Sequence, residues 1–285
     1  MSAQILDGKK VSLKVRDQIA GEVAELKSRL GKVPGLAVVL VGEDPASKIY
    51  VRNKNKTCRA IGFESFEHYL PADTSEDDVF SLVNQLNHDA SVNGILVQLP
   101  LPSHINSERI LEAIDPAKDV DGFHPANVGR LVGNRPGLVP CTPAGIIHIL
   151  DEYKIDIEGK HAVVLGRSNI VGKPVAFLLL HRNATVTICH SRTKDLHKVA
   201  ASADLLVAAI GKPGFVTGDM VKKGAVVIDV GINRVDGKLT GDVVFDEAAK
   251  NASCITPVPG GVGPMTIAML MCNTLKAFKD QNKIS

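Results

Sequence analysis

HAVVLGRSNIVGKP, residues 161–174, decides the fold. His161–Leu165 has the continuous apolar character of a buried parallel strand, and Gly172–His181 reads as a helix. A strand that breaks on glycine and re-enters as a helix is half of a βα unit. Its turn lets backbone N–H groups and a helix N-terminus approach a phosphate. The glycines are Gly166 and Gly172, so the pattern is not G-x-G-x-x-G. Taken alone, the turn fits a tight connection with no ligand as well as it fits a phosphate site.

The alternation continues outward. Thr185–Cys189, Leu205–Ile210 and Ala225–Val230 read as strands, with a short helix at Leu196–Ala201. In NAD-binding units an acidic residue about 20 positions past the glycines holds the ribose 2′-hydroxyl. Here the stretch is Cys189-His190-Ser191-Arg192, without a carboxylate. A hydroxyl and a guanidinium suit a 2′-phosphate, and Arg167 adds a second positive charge. Ser168, Val171 and Gly172 complete the turn. Gly211 in AAIGKPG (208–214) and Ile232 in IDVGINR (228–234) mark two further strand ends. Strand C-termini opening onto one crevice are where open α/β sheets bind ligands, so a dinucleotide site is expected, with NADP favoured over NAD.

The first half alternates too. Val11, Val15, Ile19, Val23, Leu26 and Leu30 have helical spacing up to Gly31. Gly35–Gly42 and Gly94–Leu99 read as buried strands, and Phe63–Leu70 as a third. Helices are expected over Ala46–Ile61, from the Ser75 cap to His88, and over Ile105–Ile114. Residues 115–142 are rich in Pro, Gly and Asp and read as a long interdomain segment, after which a helix starts near Thr142-Pro143. Met265–Lys279 reads as a C-terminal helix. Two domains of α/β class with parallel sheets follow.

On the 46–61 helix, Lys48, Arg52 and Arg59 share one face, most simply a solvated one. Lys54 lies on the opposite side, near Tyr50, beside Ser47, Thr57, Cys58 and Ile61. A desolvated lysine suits proton transfer. From spacing alone, a snorkelling lysine fits equally well. Gln98 interrupts an apolar strand and needs partners, either in a neighbouring loop or in a site. Asp119 and Asp121, in DVDG, are turn formers or ligand contacts. PVPGGVGP (257–264) suits close backbone approach to a ligand better than it suits a linker.

Composition excludes several classes. The chain has 285 residues, 33 Lys+Arg against 31 Asp+Glu, and a net charge of +2. A dedicated nucleic-acid or membrane-surface binder shows a large basic excess. The longest apolar runs are far short of the ~20 residues of a membrane span, and MSAQILDGKK has no apolar core for a signal peptide. Five scattered cysteines without CxxC argue against a disulfide framework or structural zinc. The histidines lack metal-ligand spacing, and no GxSxG or HExxH occurs. A cytoplasmic protein that binds no metal is expected.

DPASKIYVRNKNKTC, GILVQLPLP, KDVDGFHP, PCTPAGI, GRSNIVGKP, GDVVF and TPVPGGVGPMT together resemble the bifunctional methylenetetrahydrofolate dehydrogenase/methenyltetrahydrofolate cyclohydrolases. The resemblance covers nearly the whole chain in order. It implies oxidation of 5,10-methylenetetrahydrofolate with NADP⁺, then hydrolysis of the methenyl product to 10-formyltetrahydrofolate in the same site. It implies Lys54 as the catalytic residue, Tyr50 as its neighbour and Gln98 as its hydrogen-bond partner. Asp121 would bind the pterin, and Gly260, Gly261, Val262, Gly263 and Pro264 would line the folate site. Gly166, Arg167, Ser168, Ser191 and Ile232 would bind cofactor, with Thr142 near the interdomain cleft.

The implied fold is two α/β domains around a cleft. Residues 1–140, completed by 265–285, would be the folate domain, and 141–264 a Rossmann-like NADP domain. A homodimer through the cofactor domain is also implied. Two other readings are a dehydrogenase without cyclohydrolase and a non-catalytic NADP-binding protein. The joint presence of Tyr50, Lys54 and Gln98 opposes the first, and the intact first domain opposes the second.

Overall fold

The computed structural model describes residues 3–284. In chain order the elements are β1 (Gln4–Ile5), α1 (Gly8–Leu30), β2 (Gly35–Val41), α2 (Pro45–Ala60), β3 (Glu64–Leu70), α3 (Glu76–His88), β4 (Gly94–Val97), α4 (Ser107–Glu112) and α5 (Pro125–Val132). They continue as α6 (Cys141–Glu152), β5 (His161–Leu165), α7 (Gly172–Leu180), β6 (Thr185–Cys189), α8 (Leu196–Ala200), β7 (Leu205–Ala208), β8 (Val226–Asp229), β9 (Asn233–Val235), β10 (Lys238–Thr240), α9 (Phe245–Asn251), β11 (Cys254–Ile255) and α10 (Val262–Asn282).

Two compact units result. One takes the chain up to Leu13 together with Thr142–Thr266; the other takes Lys14–Cys141 together with the chain from Ile267. The expected first domain began at residue 1. The first residues instead join the second unit, because β1 pairs in parallel with β11 and Lys9 N donates to Gly260 O at 2.8 Å.

The unit built on Lys14–Cys141 has a three-stranded parallel sheet in the order β3-β2-β4. All seven residues of β2 are buried, as a strand covered on both faces requires. α2 packs on β2 and β3, and α3 on β4. Capping sets where these helices begin: the Asp44 side chain accepts from Ser47 N at 2.7 Å, and Ser75 Oγ from Asp78 N at 3.2 Å. α4 starts two residues later than expected because Asn106 caps it. The expected long irregular segment contains α5, started by Pro125 with His124 Nδ1 accepting from Ala126 N at 3.0 Å.

The other unit has a six-stranded parallel sheet in the order β1-β11-β8-β7-β5-β6. The chain runs from β5 outward to β6, then crosses back to β7 on the other side of β5. That reversal is a topological switch point, where such sheets leave a crevice at the strand C-termini. α7 packs on β5 and β6. The antiparallel hairpin β9–β10 turns at Asp236-Gly237. α10 starts at Val262 rather than Met265. Pro264 is accommodated in its first turn, where the missing N–H is no loss. Among the described residues no helix is long and apolar enough to cross a membrane.

Candidate active site

In the β3-β2-β4 unit, β2 leads into α2, and β4 ends beside it at Gln98. α2 buries Ser47, Val51, Lys54, Asn55, Thr57 and Cys58, while Lys48, Arg52, Lys56 and Arg59 are exposed. Lys54 is 9% exposed and Tyr50, one turn earlier, 37%. Lys54 Nζ donates to Gln98 Oε1 at 3.0 Å. Gln98 is itself fixed: its N–H donates to Val39 O at 2.8 Å and its Nε2 to Leu99 O at 2.7 Å. The side chain thus has its carbonyl end turned to the lysine.

The two aspartates of the DVDG loop differ. Asp119 is buried and accepts from the backbone N–H groups of Gly122, Phe123 and His124 and from Asn127 Nδ2, all between 2.8 and 3.2 Å. It is a turn former. Asp121 is half-buried, feels the Lys54 charge and is hydrogen-bonded with Cys141. Burial pushes its carboxyl above the ordinary carboxylate range; Lys54 acts against that shift, and Asp119 adds to it. Burial, reinforced by Asp121, also pushes the Cys141 thiol up, so this cysteine is not a nucleophile. An amine, an amide and a carboxyl therefore converge where the sheet's strands end. They can hold a planar heterocycle and move protons at it.

In the six-stranded unit a cavity of about 510 Å³ lies at the switch point. Gly166, Arg167, Ser168 and Ser191 line it. Gly166 has φ +124, and a Cβ there would meet Ala209 O at 2.2 Å, so the turn closes tightly against the neighbouring strand. Ser168 Oγ accepts from Val171 N and Gly172 N, each at 3.2 Å, and so organises the start of α7. No carboxylate is found among the described residues that line the cavity, while Arg167 and Lys212 bring positive charge. This lining fits an anionic dinucleotide with a 2′-phosphate.

The other expected positions fall differently. Arg192 is exposed and is not among the lining residues; its N–H donates to His190 Nδ1 at 3.1 Å. Val171, Gly172, Gly211, Ile232 and Thr142 are also outside the lining. Ile232 is exposed, and Thr142 Oγ1 pairs with Thr266 Oγ1 at 2.9 Å. The Gly260–Pro264 turn packs within this same unit: Gly260 O accepts from Lys9 N, and the Gly263 Cβ position lies 3.4 Å from Ile232 Cδ1. Sequence reasoning missed His190, Thr193, Lys212 and Phe215 as lining residues. The GKPG turn offered a signal for the last two, whose ammonium and ring lie 6.0 Å apart.

The family models divide the chain at the same place in its middle, and differ from the compact units at both ends. Residues 6–121 match the tetrahydrofolate dehydrogenase/cyclohydrolase catalytic domain, and residues 140–282 match the NAD(P)-binding domain of the same family. The bifunctional protein FolD of Moorella thermoacetica is 60% identical over 98% of this chain and 100% of its own length. The Campylobacter jejuni FolD methylenetetrahydrofolate dehydrogenase/cyclohydrolase structure superposes with a TM-score of 0.96 at 50% identity, covering 98% of this chain and 100% of that one. The Trypanosoma brucei enzyme, solved with NADP cofactor and inhibitor, gives 0.96 at 42% identity over 99% of each chain.

Proposed function

The chain belongs to the tetrahydrofolate dehydrogenase/cyclohydrolase family, and on that premise we propose how its residues perform the two reactions. It oxidises 5,10-methylenetetrahydrofolate to the 5,10-methenyl cation and hydrolyses that cation to 10-formyltetrahydrofolate. NADP⁺, when bound, would supply the hydride acceptor of the first step. That step asks the protein chiefly for positioning, because the folate nitrogens stabilise the cation themselves.

The second step asks for protons. Water adds to the methenyl carbon and loses a proton, and a ring nitrogen gains one as its C–N bond breaks. Lys54 is the group for these transfers, since its amine has donor capacity beyond the bond to Gln98. Gln98 holds that amine in place, and Tyr50, one helical turn away, borders the folate. Asp121 accepts from the amino-pyrimidine edge of the pterin. The single observation that supports the reading best is the bonded Lys54–Gln98 pair beside Asp121.

Residues 14–141 with the chain from 267 carry the folate site, and 142–266 the nucleotide site. Arg167 and Ser191 hold the 2′-phosphate. The enzyme is a homodimer through the nucleotide unit. β6 is an edge strand with Ile188 exposed and Leu180 exposed on the adjoining helix, a surface that a second copy would cover. Five free cysteines suit a reducing, cytoplasmic setting. An absorbance assay with methylenetetrahydrofolate, run with NADP⁺ and NAD⁺ in parallel, tests the reading. Formation of the methenyl product with NADP⁺ supports it, and no turnover with either nucleotide refutes it.

A further inference from the structure

Two buried carboxylates in the nucleotide unit have no part in the chemistry above. Asp229 ends β8, and Asp242 follows the β9–β10 hairpin; both are buried. Asp229 Oδ1 accepts from Gly231 N and Asp242 N, each at 2.9 Å, and its Oδ2 from Val243 N at 3.0 Å. Asp242 Oδ2 in turn accepts from Ile210 N at 2.6 Å and Gly211 N at 2.8 Å, and its Oδ1 from Asn233 Nδ2 at 2.9 Å. The contacts form a relay: Asp229 fixes the backbone of Asp242, whose side chain fixes the turn at 210–211.

Glycines make room for both groups. A Cβ at Gly231 would lie 2.3 Å from Asp242 Oδ1, and one at Gly241 would lie 1.8 Å from Asp229 Oδ2. The turn so held is the wall of the nucleotide cavity, since Ile210 and Lys212 line it beside Arg167. Gly211 between them has φ +72, so the wall depends on a backbone conformation with no steric reason to persist unaided. Burying two carboxylates is costly, and backbone ties suffice for an ordinary turn. Spending both on the amides around one ligand cavity is the pattern of a support that preorganises a binding wall.

We propose that Asp242, supported by Asp229, is a positioning residue that holds the Ile210–Lys212 wall in its nucleotide-binding form without touching the nucleotide. The proposal rests on the nucleotide reading given above. Its test is titration of the full-length protein with NADP⁺ by calorimetry, comparing the unaltered chain with Asp242→Asn and Asn233→Ala. Asp242→Asn keeps the shape but replaces one acceptor oxygen with a donor and removes the charge. Its NADP⁺ Kd should rise about ten- to a hundredfold, and that of Asn233→Ala about two- to fivefold.

KM for NADP⁺ should rise in step while kcat at saturating nucleotide, and cyclohydrolase activity measured without nucleotide, stay within about twofold. An Asp242→Asn variant that binds NADP⁺ as the unaltered protein does would overturn the proposal. So would one that loses cyclohydrolase activity in parallel, because the role would then be general stability. If that variant does not fold, Asn233→Ala decides, and unchanged affinity there overturns the proposal. Failure of the unaltered protein to bind NADP⁺ would strike the nucleotide reading itself.

Discussion

Gln98 turns its carbonyl oxygen to Lys54, 3.0 Å from Nζ, while its amide nitrogen is committed to Leu99 O at 2.7 Å. The glutamine cannot flip without breaking both contacts, so the lysine is presented in one orientation. Gln98→Leu keeps the volume and removes both. A hydrogen bond to a charged group contributes about 1.5–3 kcal/mol, so cyclohydrolase activity should fall about ten- to a hundredfold. NADP⁺ affinity, measured separately by titration, should not move.

Asp121→Asn should raise KM for the folate substrate about tenfold or more and leave NADP⁺ affinity unchanged. Asp119→Asn should do the reverse of this in kind: it releases amides of the 122–124 turn and should lower the melting temperature. Parallel melting and kinetic measurements on both variants separate the two roles. Equal thermal losses with unchanged KM would make Asp121 a second turn former.

The 2′-phosphate assignment puts Arg167 ahead of Arg192, because Arg167 lines the nucleotide cavity and Arg192 is exposed outside its lining. Arg167→Ala should weaken NADP⁺ about tenfold and leave NAD⁺ nearly untouched. Arg192→Ala should have the smaller effect on NADP⁺. The reverse ranking, read from titrations of both variants with both nucleotides, would return the role to Arg192.

Burial holds the Asp229 carboxyl at about 6, against an ordinary value of 3.8. A carboxyl raised in the folded state makes that state bind more protons than the unfolded chain, so its contribution to stability falls as pH rises from about 4 to 6. Relative to Asp229→Asn, which carries no such charge, the unaltered protein should lose about 3 kcal/mol over that window and stay level above it. Denaturant unfolding of both proteins across pH 4–8 gives the difference directly. A difference that grows with pH would show that the carboxylate is net stabilised by its three amides.

These expectations came unevenly from sequence. The βα alternation was legible because seven consecutive buried residues in β2, and four in β5, leave an apolar run that surface strands do not have. The burial of Lys54 was legible because helical spacing separates it from Lys48, Arg52 and Arg59, but its role was not, since a snorkelling lysine fits the same spacing. Helix α5 was not, since Pro125 and Gly129 within it read as loop residues. The two-residue strands β1 and β11 carry no period to detect, and their pairing is what moves the chain start into the nucleotide unit.

Asp119 and Asp121 look alike in DVDG; only the three-dimensional path of the 122–124 amides distinguishes them. Asp229 and Asp242 carried no signal in the sequence, because their burial depends on contacts between strand ends far apart in the chain. Arg192 was placed by its position past the second strand, in a stretch without a carboxylate, but adjacent residues at a strand end need not face the same way.

The most direct measurement is the pair of activities of Lys54→Met, which keeps the apolar stem of the side chain and removes the amine. Removing a positioned proton-transfer group costs about 10²–10⁴-fold. Cyclohydrolase activity should collapse by that factor while dehydrogenase activity remains measurable, because the hydrogen leaves the folate carbon together with its electron pair, as hydride, and needs no acid or base there. Lys48→Met, on the exposed face of the same helix, should change neither. Full cyclohydrolase activity in the Lys54 variant, or equal damage from Lys48→Met, would contradict the account.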